Sequence, residues 1–379
     1  MYYDGHLLSP ERMTVEIILD GEDEGGHAKG LNYASFNKIE NGQVLIKDEE
    51  TGELLSVKPK IIINAAGPWI DYVNQNAGVD TKYIGGTKGS HLVIKNDELR
   101  KAVGESEFFF ENKDGRIVLC LPFYDKVIVG TSDLPIDNPD DARCTPEEEE
   151  YFINLVDRVF PTIKITRDQI VFRFSGVRPL EYQKAKTTGQ ITRDHSVKED
   201  TIQGFPVLSL VGGKWTSFRA FSEQVAAKVL TSLGKTKEKS TESLPIRGGK
   251  NLPLSKAQKE CYINNLVSKY GFTEEYGKEL LTRYGTYAEK IANHIEKNKG
   301  KMLKSIPNWN SGELVYILQN EKPFHLDDLF IRRSTIMWLG NASEDVIEEF
   351  ADTMADEYNW SATKKKEEIA KVKNIIANS

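Results

Sequence analysis

Residues 207–224 read VLSLVGGKWTSFRAFSEQ. A run of β-formers, 207–211, meets Gly212-Gly213-Lys214, and an amphipathic pattern then begins. This predicts a strand that becomes a helix across two glycines. Glycine admits positive φ and lets backbone approach a ligand closely. The first N–H groups of a helix lack partners within it, and its N-terminus carries about half a positive charge. Such a turn suits an anion, and Lys214 adds a full charge beside it. The same residues also read as a tight connection with a solvated lysine.

A related turn lies upstream. Residues 61–69 read IIINAAGPW, a buried strand running into small residues at Ala66 and Gly67, with Trp69 close behind. Residues 88–94, KGSHLVI, place His91 at the start of an alternating strand. Arg178 in SGVRPL and Arg193 in ITRDH each stand at a strand end. Planar guanidinium forks suit phosphate. The alternative is local pairing, Arg178 with Glu181 and Arg193 with Asp194.

The remainder of the chain sets the frame. It has 379 residues, enough for two domains, and an ordinary globular composition of 39% hydrophobic and 28% charged residues. A formal net charge of −7 argues against a nucleic-acid partner. Three separated cysteines argue against a disulfide framework, and no CxxC pair points to zinc. Separated cysteines read as reduced thiols, and the opening has no secretory pattern, so the expected location is cytoplasmic, with attachment to a membrane surface left open.

Ser9-Pro10-Glu11 predicts a helix start. Short strands follow at 31–36, 43–47, 54–57 and 60–64, with DEETGE as a polar hairpin turn. Residues 108–131 read as an antiparallel meander with a hairpin at Asp114-Gly115. Thr145 and Glu148 have capping-box spacing. After Ser255 the texture is almost wholly helical, with segments at 255–270, 274–284, 286–298, 311–320, 325–339, 343–358 and 361–377. The expected division is therefore 1–250, an α+β domain with a mixed sheet and a meander, and 251–379, an all-α domain.

GGKWTSFRAFSE, together with NAAGPWID, TKGSHLVI, GRIVLCLPFYDKVIVGTSD, FSGVRPL, TRDHS and HLDDLFIRRS, resembles the blocks of the FAD-dependent glycerol-3-phosphate dehydrogenases and α-glycerophosphate oxidases, in that family's order. Phe218 stands where the signature has Tyr, and Ser222 where it has Ala. GxGxxG, which holds the ADP half of FAD in this family, occurs nowhere in the sequence. The resemblance therefore implies a family member without its N-terminal FAD-binding segment. It implies part of a D-amino-acid-oxidase-like FAD and substrate domain followed by a helical cap.

The same resemblance implies oxidation of sn-glycerol 3-phosphate to dihydroxyacetone phosphate by hydride transfer to FAD. It makes His91 the base and Arg178 and Arg193 the phosphate clamp, with Lys214 serving substrate and flavin and Tyr3 at the border of the site. Ala66, Gly67, Trp69, Gly212, Gly213, Lys214, Trp215 and Thr216 would face the cofactor. Implied partners are glycerol 3-phosphate, a quinone or oxygen as electron acceptor, a peripheral membrane contact and a homodimer. Two other readings stand beside it: an amino-acid oxidase of the same superfamily, and a non-catalytic binding or assembly fragment.

Overall fold

A computed structural model describes residues 5–112, 115–183 and 194–378. In chain order the first elements are helix α1 (Pro10–Asp23), strands β1 (Ala34–Glu40), β2 (Gln43–Asp48), β3 (Leu54–Val57) and β4 (Ile62–Asn64), and helix α2 (Ile70–Asn76). Strand β5 (Thr87–Ile94), helix α3 (Asp97–Val103) and strands β6 (Phe108–Glu111), β7 (Ile117–Phe123), β8 (Lys126–Gly130) and β9 (Leu134–Pro135) come next. Helix α4 (Pro146–Val159), strands β10 (Ile170–Arg178), β11 (Ser196–Ile202) and β12 (Phe205–Val211), and helix α5 (Phe218–Ser232) complete the mixed part. Helices α6 (Lys256–Tyr270), α7 (Glu274–Tyr284), α8 (Ala288–Lys297), α9 (Ser311–Asn320), α10 (Glu344–Tyr358) and α11 (Ala362–Asn378) form the tail.

The chain divides into two compact units. One takes the residues up to Gly30 together with those from Pro245 onward; the other is Leu31–Leu244. The sequence reading placed α1 with the first domain, 1–250. Instead α1 lies with the helical tail, and ion pairing explains why. Arg12 is buried, its Nη2 donates to Glu321 Oε1 at 2.6 Å, and its guanidinium sits 4.8 Å over the ring of Tyr284. A guanidinium with that many donors is buried only where carboxylates receive it. The start of α1 is as expected, with Ser9 capping Arg12 N.

The tail departs from the sequence pattern at one segment. Residues 325–339 do not form one helix; they contain a π-helical stretch, Asp328–Arg333. Asp328 Oδ2 accepts from the N–H groups of Phe324 and His325 at 2.8 and 3.0 Å, and Ser334 Oγ donates to the Leu329 carbonyl at 2.6 Å. Asp328 thus caps the N–H groups ahead of the segment, while Ser334 takes a carbonyl that a regular helix would pair internally.

Among the described residues of the α+β unit three sheets form: β1-β2-β3, β11-β12-β4, and a larger sheet ordered β10-β5-β8-β7-β6 with β9 beside β5. The DEETGE turn joins β2 to β3, where Asp48 Oδ1 accepts from Glu50 and Thr51 N–H groups and Gly52 has φ +76°. Strand β5 is central, antiparallel to both β10 and β8. Its pleat puts Lys88, Ser90, Leu92 and Ile94 on the back face. There Leu92 and Ile94 are fully buried with Leu99 and Val103 of α3 and Phe152, Leu155 and Val156 of α4. Thr87, Gly89, His91 and Val93 share the front.

Candidate functional site

The front of the large sheet is assembled by strand register. His91 lies opposite Phe174 on β10 and Gly130 on β8. Its ring stacks on Phe174 at 4.7 Å with 6° between planes. On the other side only glycine fits: a Cβ at Gly130 would stand 2.2 Å from His91 Cδ2. Burial, and then the positive charge of Arg178, push the imidazole pKa down to about 4. His91 Nδ1 is buried with no hydrogen-bond partner, and so is Thr87 Oγ1 on the same face. Orphaned buried polar atoms are uncommon and mark places where a further group is accommodated.

Arg178 lies opposite Thr87, but its side chain reaches back along the face. A Cβ at Gly89 would meet Arg178 Nη2 at 2.4 Å and Nη1 at 2.7 Å. The guanidinium therefore rests over Gly89, two residues from His91, or about 7 Å of strand. Opposite Gly89 is Gly176, where nothing lies within 4 Å of a Cβ position. Arg178 Nη2 donates to Thr131 Oγ1 at 2.8 Å and the Ser132 carbonyl at 3.2 Å, and Nη1 to Asp133 Oδ1 at 3.2 Å. The alternative pairing with Glu181 is not seen; Glu181 instead takes Lys198 at 2.5 Å.

The two glycine turns come together for a topological reason. Strands β4 and β12 are parallel neighbours, with Asn64 opposite Ser209. Gly67 and Gly212 each follow their register partner by three residues (67 − 64 and 212 − 209). Both turns thus leave the carboxyl ends of adjacent parallel strands, where α/β sheets open a ligand crevice. Asn64 shapes the first turn: its Nδ2 donates to the Ile70 carbonyl and Asn74 Oδ1, and its Oδ1 accepts from Ala66 N. Trp69 is 41% exposed, its Nε1 bonded to Asp140 at 2.9 Å.

Gly212 and Gly213 have φ +79° and +106°, and a Cβ at Gly212 would lie 2.4 Å from the Asp194 carbonyl oxygen. Here the structure corrects the sequence reading in two ways. Helix α5 does not follow directly on the glycines but starts at Phe218, so its N-terminus lies away from Gly212 and Gly213 in sequence. Gly212 N–H is spent on the Pro179 carbonyl at 3.0 Å, which ties the turn to the strand end bearing Arg178. Lys214, Trp215 and Thr216 are exposed and form the irregular step before Ser217, whose N–H bonds the Lys214 carbonyl. Arg193 and Tyr3 lie outside the described residues.

Comparison with known proteins follows the same outline. The model described as FAD dependent oxidoreductase matches residues 1–214, and that of the C-terminal domain of alpha-glycerophosphate oxidase matches residues 239–365. The chain belongs to the FAD-dependent glycerol-3-phosphate dehydrogenase family. The aerobic glycerol-3-phosphate dehydrogenase of Staphylococcus epidermidis is 30% identical over 386 residues, 96% of this chain and 67% of that protein. That of Staphylococcus aureus is 29% identical over 381 residues, 95% of this chain and 66% of that protein. The chain thus spans about two thirds of the length of these relatives. In fold it is similar to the FAD-complexed glycerol-3-phosphate dehydrogenase of Bacillus halodurans, with a TM-score of 0.80, 21% identity, 97% of this chain and 73% of the other covered.

Membership in this family of FAD-dependent oxidoreductases accounts for the α+β unit with its helical companion. The sequence reading missed the residues that hold His91 and Arg178 in place: Gly89, Gly130, Phe174, Thr131 and Asp133. One signal was available. Gly89 stands two before His91, and period-two alternation puts them on one face. Nothing in the sequence pairs β5 with Gly130 or Phe174. Among the described residues no helix is long and apolar enough to cross a membrane.

Proposed function

We propose that this chain serves the flavin-dependent oxidation of glycerol 3-phosphate to dihydroxyacetone phosphate. The observation that carries the reading is the front of β5. A forked cation over Gly89 and a neutral imidazole stand about 7 Å apart along one strand, and among the described residues nothing lies within 4 Å of a Cβ position at Gly176 on the neighbouring strand. That spacing suits a short phosphate ester better than an amino acid, whose carboxylate adjoins the reacting carbon.

The residues present fit the flavin end of FAD. Two positive-φ glycine turns at the carboxyl ends of β4 and β12 leave room for a close planar group, and Trp69, Lys214, Trp215 and Thr216 border it. Ala66, Gly67, Gly212 and Gly213 would hold that group by backbone contact. When bound, the flavin supplies the two-electron acceptor for the hydride. Lys214 places positive charge where the reduced ring system becomes anionic. Arg178 holds the phosphate and fixes the substrate's length along the strand. His91 accepts the hydroxyl proton at Nε2, since Nδ1 is the buried nitrogen. A dianion on Arg178 offsets the charge that helps to keep His91 neutral, so substrate binding itself raises the basicity of the ring. The electron acceptor beyond flavin is a quinone or oxygen.

The test is anaerobic mixing of the protein, supplied with FAD, with glycerol 3-phosphate. Bleaching of the flavin bands is expected, and its loss in Arg178→Ala. Bleaching by amino acids in place of glycerol 3-phosphate overturns the reading.

A further inference from the structure

We propose that Glu148, held by Lys88, is a positioning residue for Arg178 and acts from the opposite face of the sheet through Ser132. This rests on the reading of Arg178 as the cation that receives the substrate's phosphate.

The connection is continuous. On the back face Lys88 Nζ donates to Glu148 Oε2 at 2.7 Å and to the Arg143 carbonyl at 2.7 Å. Glu148 Oε1 accepts from Ser132 Oγ at 2.6 Å. Ser132 Oγ in turn accepts from Ser90 N at 2.9 Å, so the hydroxyl is fixed in both directions. Ser132 is the middle residue of the loop that holds Arg178. The flanking residues supply Thr131 Oγ1 and Asp133 Oδ1, and Ser132 supplies its own carbonyl. Pinning the centre of the loop from behind points all three acceptors at the guanidinium in front.

Helix capping does not account for this arrangement. Glu148 does complete the capping box of α4, accepting from Thr145 N at 2.9 Å. That role needs one carboxylate oxygen and works at the surface. Here Lys88 and Glu148 are both buried, with side chains 9% and 6% exposed. A buried ion pair is an uneconomical way to add stability, since apolar replacements of similar volume often do as well or better. What an ionised carboxylate adds is a rigid, strong acceptor for a hydroxyl. Burial pushes the Glu148 carboxyl up, but the hydrogen bonds from Lys88, Ser132 and Thr145 outweigh it and hold it below the usual range.

The test uses the full chain with 15N-labelled arginine. In the wild type, rotation of the Arg178 guanidinium about Nε–Cζ is expected to be slow. Ser132→Ala and Glu148→Gln are each expected to speed it roughly tenfold and to weaken glycerol 3-phosphate binding, by calorimetry, by roughly tenfold. Arg12, paired with Glu321, is the internal control and keeps its rate. In an Arg178→Ala background Ser132→Ala adds no further loss of binding. If the melting temperature falls while Arg178 rotation stays slow, Glu148 is structural and the inference is overturned. Should Glu148→Gln fail to fold, Ser132→Ala decides alone, because it leaves the Lys88–Glu148 pair in place. If Arg178→Ala keeps full affinity for glycerol 3-phosphate, the functional reading fails while the rotation rates still decide the positioning.

Discussion

The two faces of β5 are built from alternate residues of one strand, yet they behave as different materials. The back face is closed. Leu92 and Ile94 are fully buried, and every polar group named there, Lys88, Ser90 and Glu148, is matched. Among the described residues the front face holds unspent capacity: Thr87 Oγ1 without a partner, and nothing within 4 Å of a Cβ position at Gly176. Packing and satisfied hydrogen bonds give stability. Groups left short of partners in a fixed frame can receive a ligand. The difference teaches that the pleat separates the two tasks, so substitutions one residue apart should report on different properties.

The largest effect is expected behind the sheet. Leu92→Ala should cost about 2–5 kcal/mol in urea unfolding, while glycerol 3-phosphate affinity of the folded protein stays near wild type. A folded Leu92 variant that lost affinity first would break the separation. In front, Gly89→Ala places a methyl group where the Arg178 guanidinium rests. It should lower kcat/KM for glycerol 3-phosphate on the order of 100-fold, at a stability cost of about 1–3 kcal/mol. Steady-state kinetics beside a thermal melt checks both halves.

Titration sharpens the comparison further. The folded pKa of His91, about 4, lies below its unfolded value of 6.5. Between those values the unfolded chain binds a proton that the native ring refuses, so native stability falls as pH falls. The slope from this group is about 1.4 kcal/mol per pH unit. His91→Gln should remove that slope, read from denaturant midpoints between pH 6.5 and 4; an unchanged slope would mean that the ring is not held neutral. The smallest effect is expected at the surface. Glu181→Gln breaks only the partly exposed pair with Lys198 and should change stability by about 0.5 kcal/mol or less, with kinetics unaltered. A marked kinetic change would revive the pairing of Glu181 with Arg178.

Much of this was legible in the chain because the signals are local. Ser9-Pro10 and Thr145 with Glu148 mark helix starts that form as read. DEETGE turns as its polar residues dictate, and the helical tail follows its periodicity except near the π-helical stretch, where Ser334 captures the Leu329 carbonyl. Two readings failed for tertiary reasons. Arg12 found a carboxylate 309 positions away, which moved α1 to the other unit. The Gly212 N–H, read as a donor for an anion, is spent on the Pro179 carbonyl.

By itself the sequence determined where glycines, capping residues and alternating apolar runs must make turns, helices and strands, because each depends on a few neighbouring residues. It also carried the blocks that mark the family. Only the tertiary structure decided that the turns at Gly67 and Gly212 share one end of a parallel pair, and that Gly89 yields its place to Arg178. It alone set His91 between Phe174 and Gly130. Those outcomes depend on strand register, and register is settled only when distant strands meet and bury one face of each.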